Sequence, residues 1–104
     1  MSIQDKIREQ VTSNPVVLYM KGSPQFPQCG FSATATQLLK MAGADGFYTV
    51  DVLQNPDIRE GIKQYANWPT IPQLYVNGEF VGGSDIMMEM YQAGELQQAL
   101  AATA

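Results

Sequence analysis

Ile3, Ile7 and Val11 recur every four residues and the run stops before Asn14-Pro15, which predicts a short amphipathic first helix. Directly after it, Val16-Val17-Leu18-Tyr19-Met20 is an unbroken apolar run rich in β-branched and aromatic residues, closed by Lys21-Gly22-Ser23-Pro24. That is the pattern of a buried central strand. Gly22 to Gln28 carries two prolines and a glycine and reads as a loop. Helical spacing returns with Phe31, Ala35, Leu38, Leu39 and Ala42 and ends at Gly43, and Phe47 to Val52 reads as a second strand.

Asn55-Pro56-Asp57 has the form of a helix start, with Asn as N-cap, Pro at the first helical position and an acid in the first turn. Ile58, Ile62 and Tyr65 mark its buried side. Gln73 to Val76 and Glu79 to Val81 flank Asn77-Gly78, a strong hairpin signal. Gly82-Gly83 then leads to Ser84 as an N-cap and Asp85 in the first turn of a helix running to Tyr91. Gly94 breaks it, Glu95 to Ala101 forms a last short helix with Leu96 and Leu100 inward, and the Ala99 to Ala104 tail is expected to fray. Two strands joined through a helix are expected to be parallel, with a right-handed crossover, and the last two antiparallel. The expectation is an α/β fold in one domain, residues 1–104: a four-stranded mixed sheet flanked by helices on both faces.

Composition narrows the function classes. Hydrophobic residues make up 45% and charged residues 15%, a globular balance. The net charge of −4 gives no bulk attraction to nucleic acid or to an anionic membrane. No apolar stretch is long enough to span a bilayer. Met1 to Lys6 has neither the apolar segment of a signal peptide nor the character of a transit peptide. A lone cysteine points to a reducing compartment, and the cytoplasm is the expected location.

That cysteine, Cys29, stands in Cys29-Gly30-Phe31-Ser32, and the chain has no histidine. One thiol cannot form an intramolecular disulfide, a structural zinc site needs about four ligands, and a papain-like mechanism needs a histidine base. Two chemistries remain: exchange with another molecule's sulfur, or one thiolate ligand to a soft metal centre shared between molecules. The plain alternative is a buried filler. Against it, Cys29 lies where a Pro-rich loop hands over to a helix, and unpaired N–H groups there favour a thiolate. Gly30 lets another molecule approach closely. Phe31 reads as core and Ser32 as serving the helix start.

In Trp68-Pro69-Thr70-Ile71-Pro72 a proline directly precedes a strand, which is compatible with either a trans or a cis Ile71–Pro72 bond. Arg59 and Lys63 are four apart and share a helix side, and Lys21 follows the first strand at its carboxyl end, where open α/β sheets bind ligands. If the fold brings these three together, they form a positive pocket for a small carboxylate-bearing anion; taken singly, each is a solvated charge.

Four stretches, Lys21-Gly22-Ser23-Pro24, Cys29-Gly30-Phe31-Ser32, Trp68-Pro69-Thr70-Ile71-Pro72-Gln73 and Gly82-Gly83-Ser84-Asp85, together closely resemble the monothiol glutaredoxins of the Cys-Gly-Phe-Ser type, with a thioredoxin-like fold. The resemblance spans essentially the whole chain. It implies that Pro72 is the fold's cis-proline and that the pocket binds glutathione. By position, Lys21 would meet the tripeptide's glycine carboxylate, with Arg59 and Lys63 on the same side. Ile71 would pair with its backbone, and Ser84 and Asp85 would hold its γ-glutamyl end. Many relatives have a cysteine where this chain has Ser84, so an intramolecular disulfide is closed to this one.

The expected function is a glutathione-dependent carrier of a 2Fe-2S cluster. Such a cluster takes four thiolates; the resemblance implies that Cys29 of two chains and two glutathiones supply them. It also implies a homodimer or a heterodimer with a BolA-like protein, and apo iron–sulfur proteins as acceptors. The alternative is a glutathione-dependent disulfide reductase or deglutathionylase using Cys29 alone. Its activity is expected to be weak, because the resolving thiol of Cys-x-x-Cys is replaced by Ser32.

Overall fold

The structure, a computed structural model, describes residues 1–103. The elements run α1 (Ile3–Ser13), β1 (Val16–Met20), α2 (Gly30–Met41), β2 (Tyr48–Asp51), α3 (Pro56–Tyr65), β3 (Gln73–Val76), β4 (Glu79–Gly82), α4 (Ser84–Gln92) and α5 (Glu95–Ala101). The order and type of every expected element hold. Of the Ala99–Ala104 tail, Ala104 lies outside the described residues, and the helix before it is intact to Ala101.

The sheet order is β2-β1-β3-β4, with β1 and β2 parallel and the β1–β3 and β3–β4 pairs antiparallel. β1 is therefore central, and all five of its residues are buried. Successive residues point to opposite faces of a strand, so one apolar run supplies two cores. Val16, Leu18 and Met20, with Leu74 and Val76, pack against Ala35, Leu38 and Leu39 of α2, Met87 of α4, and Leu96 and Leu100 of α5. Val17 and Tyr19, with Val50 and Tyr75, pack against Ile7 and Val11 of α1 and Ile58 and Ile62 of α3. Each fully buried Val, Leu, Ile or Met among them contributes about 1.5–3 kcal/mol. Helices cover both faces.

The turn between β3 and β4 has positive φ at both Asn77 (52°) and Gly78 (82°), the type I′ geometry that matches strand twist. Two helix starts differ from expectation. Asn55 occupies the N-cap of α3 but makes no capping bond; its Nδ2 donates to the Asp51 carbonyl at 2.9 Å and ties the helix back to β2. The N-cap of α4 is Gly83, and Ser84 is the first helical residue. A Cβ on Gly83 would stand 3.2 Å from the Pro72 carbonyl oxygen, so close packing leaves little room for a side chain there. Among the described residues no helix is long and apolar enough to cross a membrane.

Candidate functional site

The carboxyl end of β1 feeds the loop that leads to Cys29. Gly22 has φ +89°, a conformation that favours glycine. A Cβ there would lie 2.5 Å from the Phe26 carbonyl oxygen and 2.7 Å from the Gln28 nitrogen. The Gly22 N–H donates to Asp51 Oδ1 at 3.0 Å, and the same carboxylate oxygen accepts from Leu53 N–H at 2.9 Å. Gln28 N–H donates to the Lys21 carbonyl at 2.9 Å, and Ser23 and Phe26 exchange backbone bonds of 3.3 and 3.1 Å. The loop is thus closed on itself. Phe26 projects from it at 75% exposure.

Cys29 is the N-cap residue of α2, with extended backbone (φ −158°, ψ 142°) and a thiol that makes no capping bond. It is the chain's free cysteine and partly accessible. Burial pushes its pKa up, but the polar surroundings of the thiol, the Ser32 N–H and hydroxyl and the Phe31 N–H, together with the Lys21 charge, outweigh this. The result is a thiol below its ordinary range. The helix N-terminus therefore favours the thiolate through named donors.

Ser32 does more than begin a helix. It is fully buried, and its Oγ accepts the Lys21 N–H at 3.0 Å. One hydroxyl thus satisfies the end of β1 with its lone pair and is also among the groups that lower the thiol pKa. Phe31 is not core, contrary to its helical phase; it is 63% exposed. It sits in the first turn of α2, which overhangs a cavity, so no element covers it.

That cavity, of about 400 Å³, is lined by Lys21 from the end of β1, Arg59 and Lys63 from α3, the Trp68–Pro72 segment, and Gly83 to Ile86 at the start of α4, with Phe31 at its edge. Lys21, Arg59, Lys63, Ile71, Pro72, Ser84 and Asp85 therefore come together, as the convergence argument required. Cys29 stands beside the cavity, bracketed by Lys21 and Phe31, and does not line it. Ile71–Pro72 is cis. Neither the N–H nor the C=O of Ile71 is used by a turn, a cap or a side chain among the described residues.

The charges are divided within the cavity. Lys63 lies 3.6 Å from Glu60, whose side chain is 73% exposed; Lys21 and Arg59 make no ion pair among the described residues. Asp85 stands in the first turn of α4, where free N–H groups also point outward. Two unpaired cations, a helix start and one carboxylate suit a small zwitterion with carboxylates and an ammonium. Among the described residues no three His, Cys, Asp or Glu side chains are grouped to hold a metal ion.

Sequence reasoning did not assign Trp68, Pro69, Thr70, Gly83 and Ile86 to the lining, and it placed Gln73 only as the start of a strand and in the motif that carries the resemblance. The prolines mark the Trp68–Pro72 stretch in the sequence; its role as a continuous wall is seen only in the folded chain.

The family model for glutaredoxin matches residues 16–81, well over half of the chain. Glutaredoxin 4 of Escherichia coli (strain K12) is 60% identical over 100 residues, covering 96% of this chain and 86% of that protein. The solution structure of reduced poplar apo GrxS14 is 49% identical and superposes with a TM-score of 0.82, covering 95% of this chain and 90% of that one. A buckwheat glutaredoxin solved as a glutathione complex is 26% identical with a TM-score of 0.83, covering 95% and 87%. With its thioredoxin-like sheet, its thiol at the start of α2 and one cysteine in all, this chain belongs to the glutaredoxin family, as a monothiol member close to Glutaredoxin 4.

Proposed function

We propose that this glutaredoxin is mainly a carrier of a 2Fe-2S cluster, with glutathione as co-ligand. The observation that supports this most is one thiolate-favouring Cys29 beside a cavity with two unpaired cations. A cluster of this kind takes four thiolates. Cys29 from each of two chains and the sulfur of two glutathiones make up the set, and the cluster is cargo shared between them. Lys21 receives the glycine carboxylate, with Arg59 and Lys63 on the same side. The free Ile71 backbone pairs with the tripeptide, and the Ser84 N–H and the Asp85 carboxylate take the γ-glutamyl end. The bound glutathione of the buckwheat relative supports this choice of ligand. A homodimer holds the cluster, or a heterodimer with a BolA-like protein, and apo iron–sulfur proteins of the cytoplasm receive it.

The lowered thiol pKa also supports a second, weaker activity. The Cys29 thiolate attacks the glutathionyl sulfur of a mixed disulfide and the substrate thiolate leaves. A second glutathione thiolate then attacks that sulfur, giving glutathione disulfide and restoring Cys29. The Ser32 and Ser84 hydroxyls cannot resolve the intermediate, so turnover rests on external glutathione.

Anaerobic reconstitution with iron, sulfide and glutathione, followed by the visible spectrum and native mass, tests the carrier reading. One cluster and two glutathiones per pair of chains are expected, with Cys29→Ser colourless and monomeric. A stable cluster in Cys29→Ser, or full loading without any small thiol, overturns it. Robust disulfide-reductase turnover with no cluster transfer promotes the second activity.

A further inference from the structure

We infer that Gln73 is a positioning residue for the ligand cavity: its buried amide holds the wall made by Trp68 to Pro72 in the shape that presents the Ile71 backbone to a bound peptide. Gln73 is the first residue of β3, directly after cis Pro72, and is fully buried. Its Nε2 donates to the Trp68 carbonyl at 3.1 Å and to the Thr70 carbonyl at 3.2 Å. Its Oε1 accepts the Tyr75 hydroxyl at 3.0 Å. The chemistry of the partners fixes which end of the amide is which. Two carbonyl oxygens require a donor, so the amide nitrogen lies on their side and its oxygen takes the phenol.

Ile71 is anchored by burial in the core, but few other hydrogen bonds among the described residues hold the wall. Trp68 N–H donates to the Lys63 carbonyl at 3.0 Å, Pro69 and Pro72 have no N–H, and Trp68 rests on Phe80 with ring centroids 5.5 Å apart. Both side-chain bonds to the wall's carbonyls therefore come from one residue. Tyr75 anchors that residue in turn: it is 1% exposed and meets the rings of Tyr19, Tyr65 and Phe80 at 5.5–5.9 Å. Burial pushes its phenol well above the usual range, so it remains a hydroxyl donor. The chain of support runs from the aromatic core through Tyr75 and Gln73 to the wall, and Gln73 touches no ligand itself.

The inference rests on glutathione as the cavity's ligand, and the test separates the two. S-methylglutathione, which cannot exchange or ligate through a free thiol, is titrated calorimetrically into wild type, Gln73→Met and Gln73→Glu. Gln73→Met keeps the volume and removes all three bonds. It is expected to weaken binding about tenfold. Gln73→Glu is expected to bind as weakly at pH 8, where an ionised carboxyl opposes two carbonyl oxygens. It should recover toward wild type as pH falls to 5.5, because the neutral acid regains one donor and still accepts from Tyr75. A purely packing role gives no such recovery. Amide exchange of the ligand-free proteins reads the wall at its bonded amide: Gln73→Met should speed exchange of the Trp68 N–H, which donates to the Lys63 carbonyl, at least fivefold and leave β1 unchanged. Binding within twofold of wild type in both variants, or unchanged exchange of the wall, overturns the inference. Failure of wild type to bind S-methylglutathione refutes the glutathione reading instead, and the exchange result still decides whether Gln73 holds the wall.

Discussion

Ser32→Ala removes one oxygen that serves two partners, and its consequences can be worked separately. The Lys21 N–H, bonded to Ser32 Oγ at 3.0 Å, loses its acceptor at the end of the central strand. A made hydrogen bond contributes about 0.5–1.5 kcal/mol net, and a donor stranded away from water costs about 1–3 kcal/mol. Because Ser32 is fully buried, water does not readily replace the lost partner, so a loss of about 2 kcal/mol is expected. For a domain of this size that is a fall in Tm of roughly 8–15 °C. The second consequence is chemical. The Ser32 hydroxyl is one of the groups that hold the Cys29 thiol below its ordinary range, so its removal raises the thiol pKa.

The sign of the pH dependence follows. A group whose folded pKa is depressed adds stability that is fully present above its unfolded pKa and is lost as pH falls through the folded value. The deficit of Ser32→Ala relative to wild type should therefore be smaller at low pH and grow as pH rises through the thiol range toward the unfolded value of about 8.5. Urea denaturation at a series of pH values measures the stability. The pH dependence of iodoacetamide alkylation of Cys29 measures the thiol. An alkylation midpoint in Ser32→Ala equal to that of wild type would refute the assigned role of the hydroxyl, and a stability loss under about 0.5 kcal/mol would refute the stranded donor.

Two further predictions concern the frame around the thiol. Lys21→Ala is expected to weaken S-methylglutathione binding by about 1.5–3 kcal/mol, the range for bonds to charged groups. Lys63→Ala should lose less, since Lys63 already shares its charge with Glu60 at 3.6 Å; calorimetry giving the reverse order would place the anion elsewhere. Gly22→Ala puts an L side chain at φ +89°, with its Cβ 2.5 Å from a carbonyl oxygen. The conformation alone costs about 1–2 kcal/mol, so urea denaturation should show at least that loss, with slower alkylation of Cys29; a neutral effect on both would contradict the closed loop.

The fold was legible because its signals are periodic. Ile3, Ile7 and Val11 mark a helix whichever neighbours they meet, and the Val16–Met20 run can only be a strand buried on both faces. The site was legible where charge and backbone type carry it: Cys29 at a helix start, Lys21 at a strand's end, Arg59 and Lys63 four apart. What stayed hidden depends on tertiary neighbours. Phe31 has the same helical phase as Leu38, but only Leu38 has the sheet beneath it, whereas Phe31 lies over the cavity. Ser84 is a good N-cap by type, but the extended backbone before α4 falls at Gly83, which packs close to the Pro72 carbonyl. Gln73 looks like an ordinary polar strand residue until the carbonyls of Trp68 and Thr70 turn toward it. The cis geometry at Pro72 came from the resemblance to the family rather than from the residues.

The distribution of charge links the site to the proposed carrier role. Three of the chain's six lysines and arginines, Lys21, Arg59 and Lys63, line one cavity, while the whole protein carries −4. Screening in physiological salt reduces charge interactions beyond roughly 8 Å, so a small anion inside the cavity responds to its cations and little to the acidic remainder. Two protein molecules meeting through this face carry the same net charge, and nothing in their overall electrostatics draws them together. On the proposed reading, what joins them is the cargo: a thiolate from each Cys29 and the sulfurs of glutathiones held by each cavity. Such a dimer persists only while it is loaded. Delivery of the cluster removes the tie, glutathione leaves through the open cavity, and two monomers remain, each with a thiolate ready to accept again. Loading and assembly are then one equilibrium, governed by glutathione concentration as much as by protein concentration.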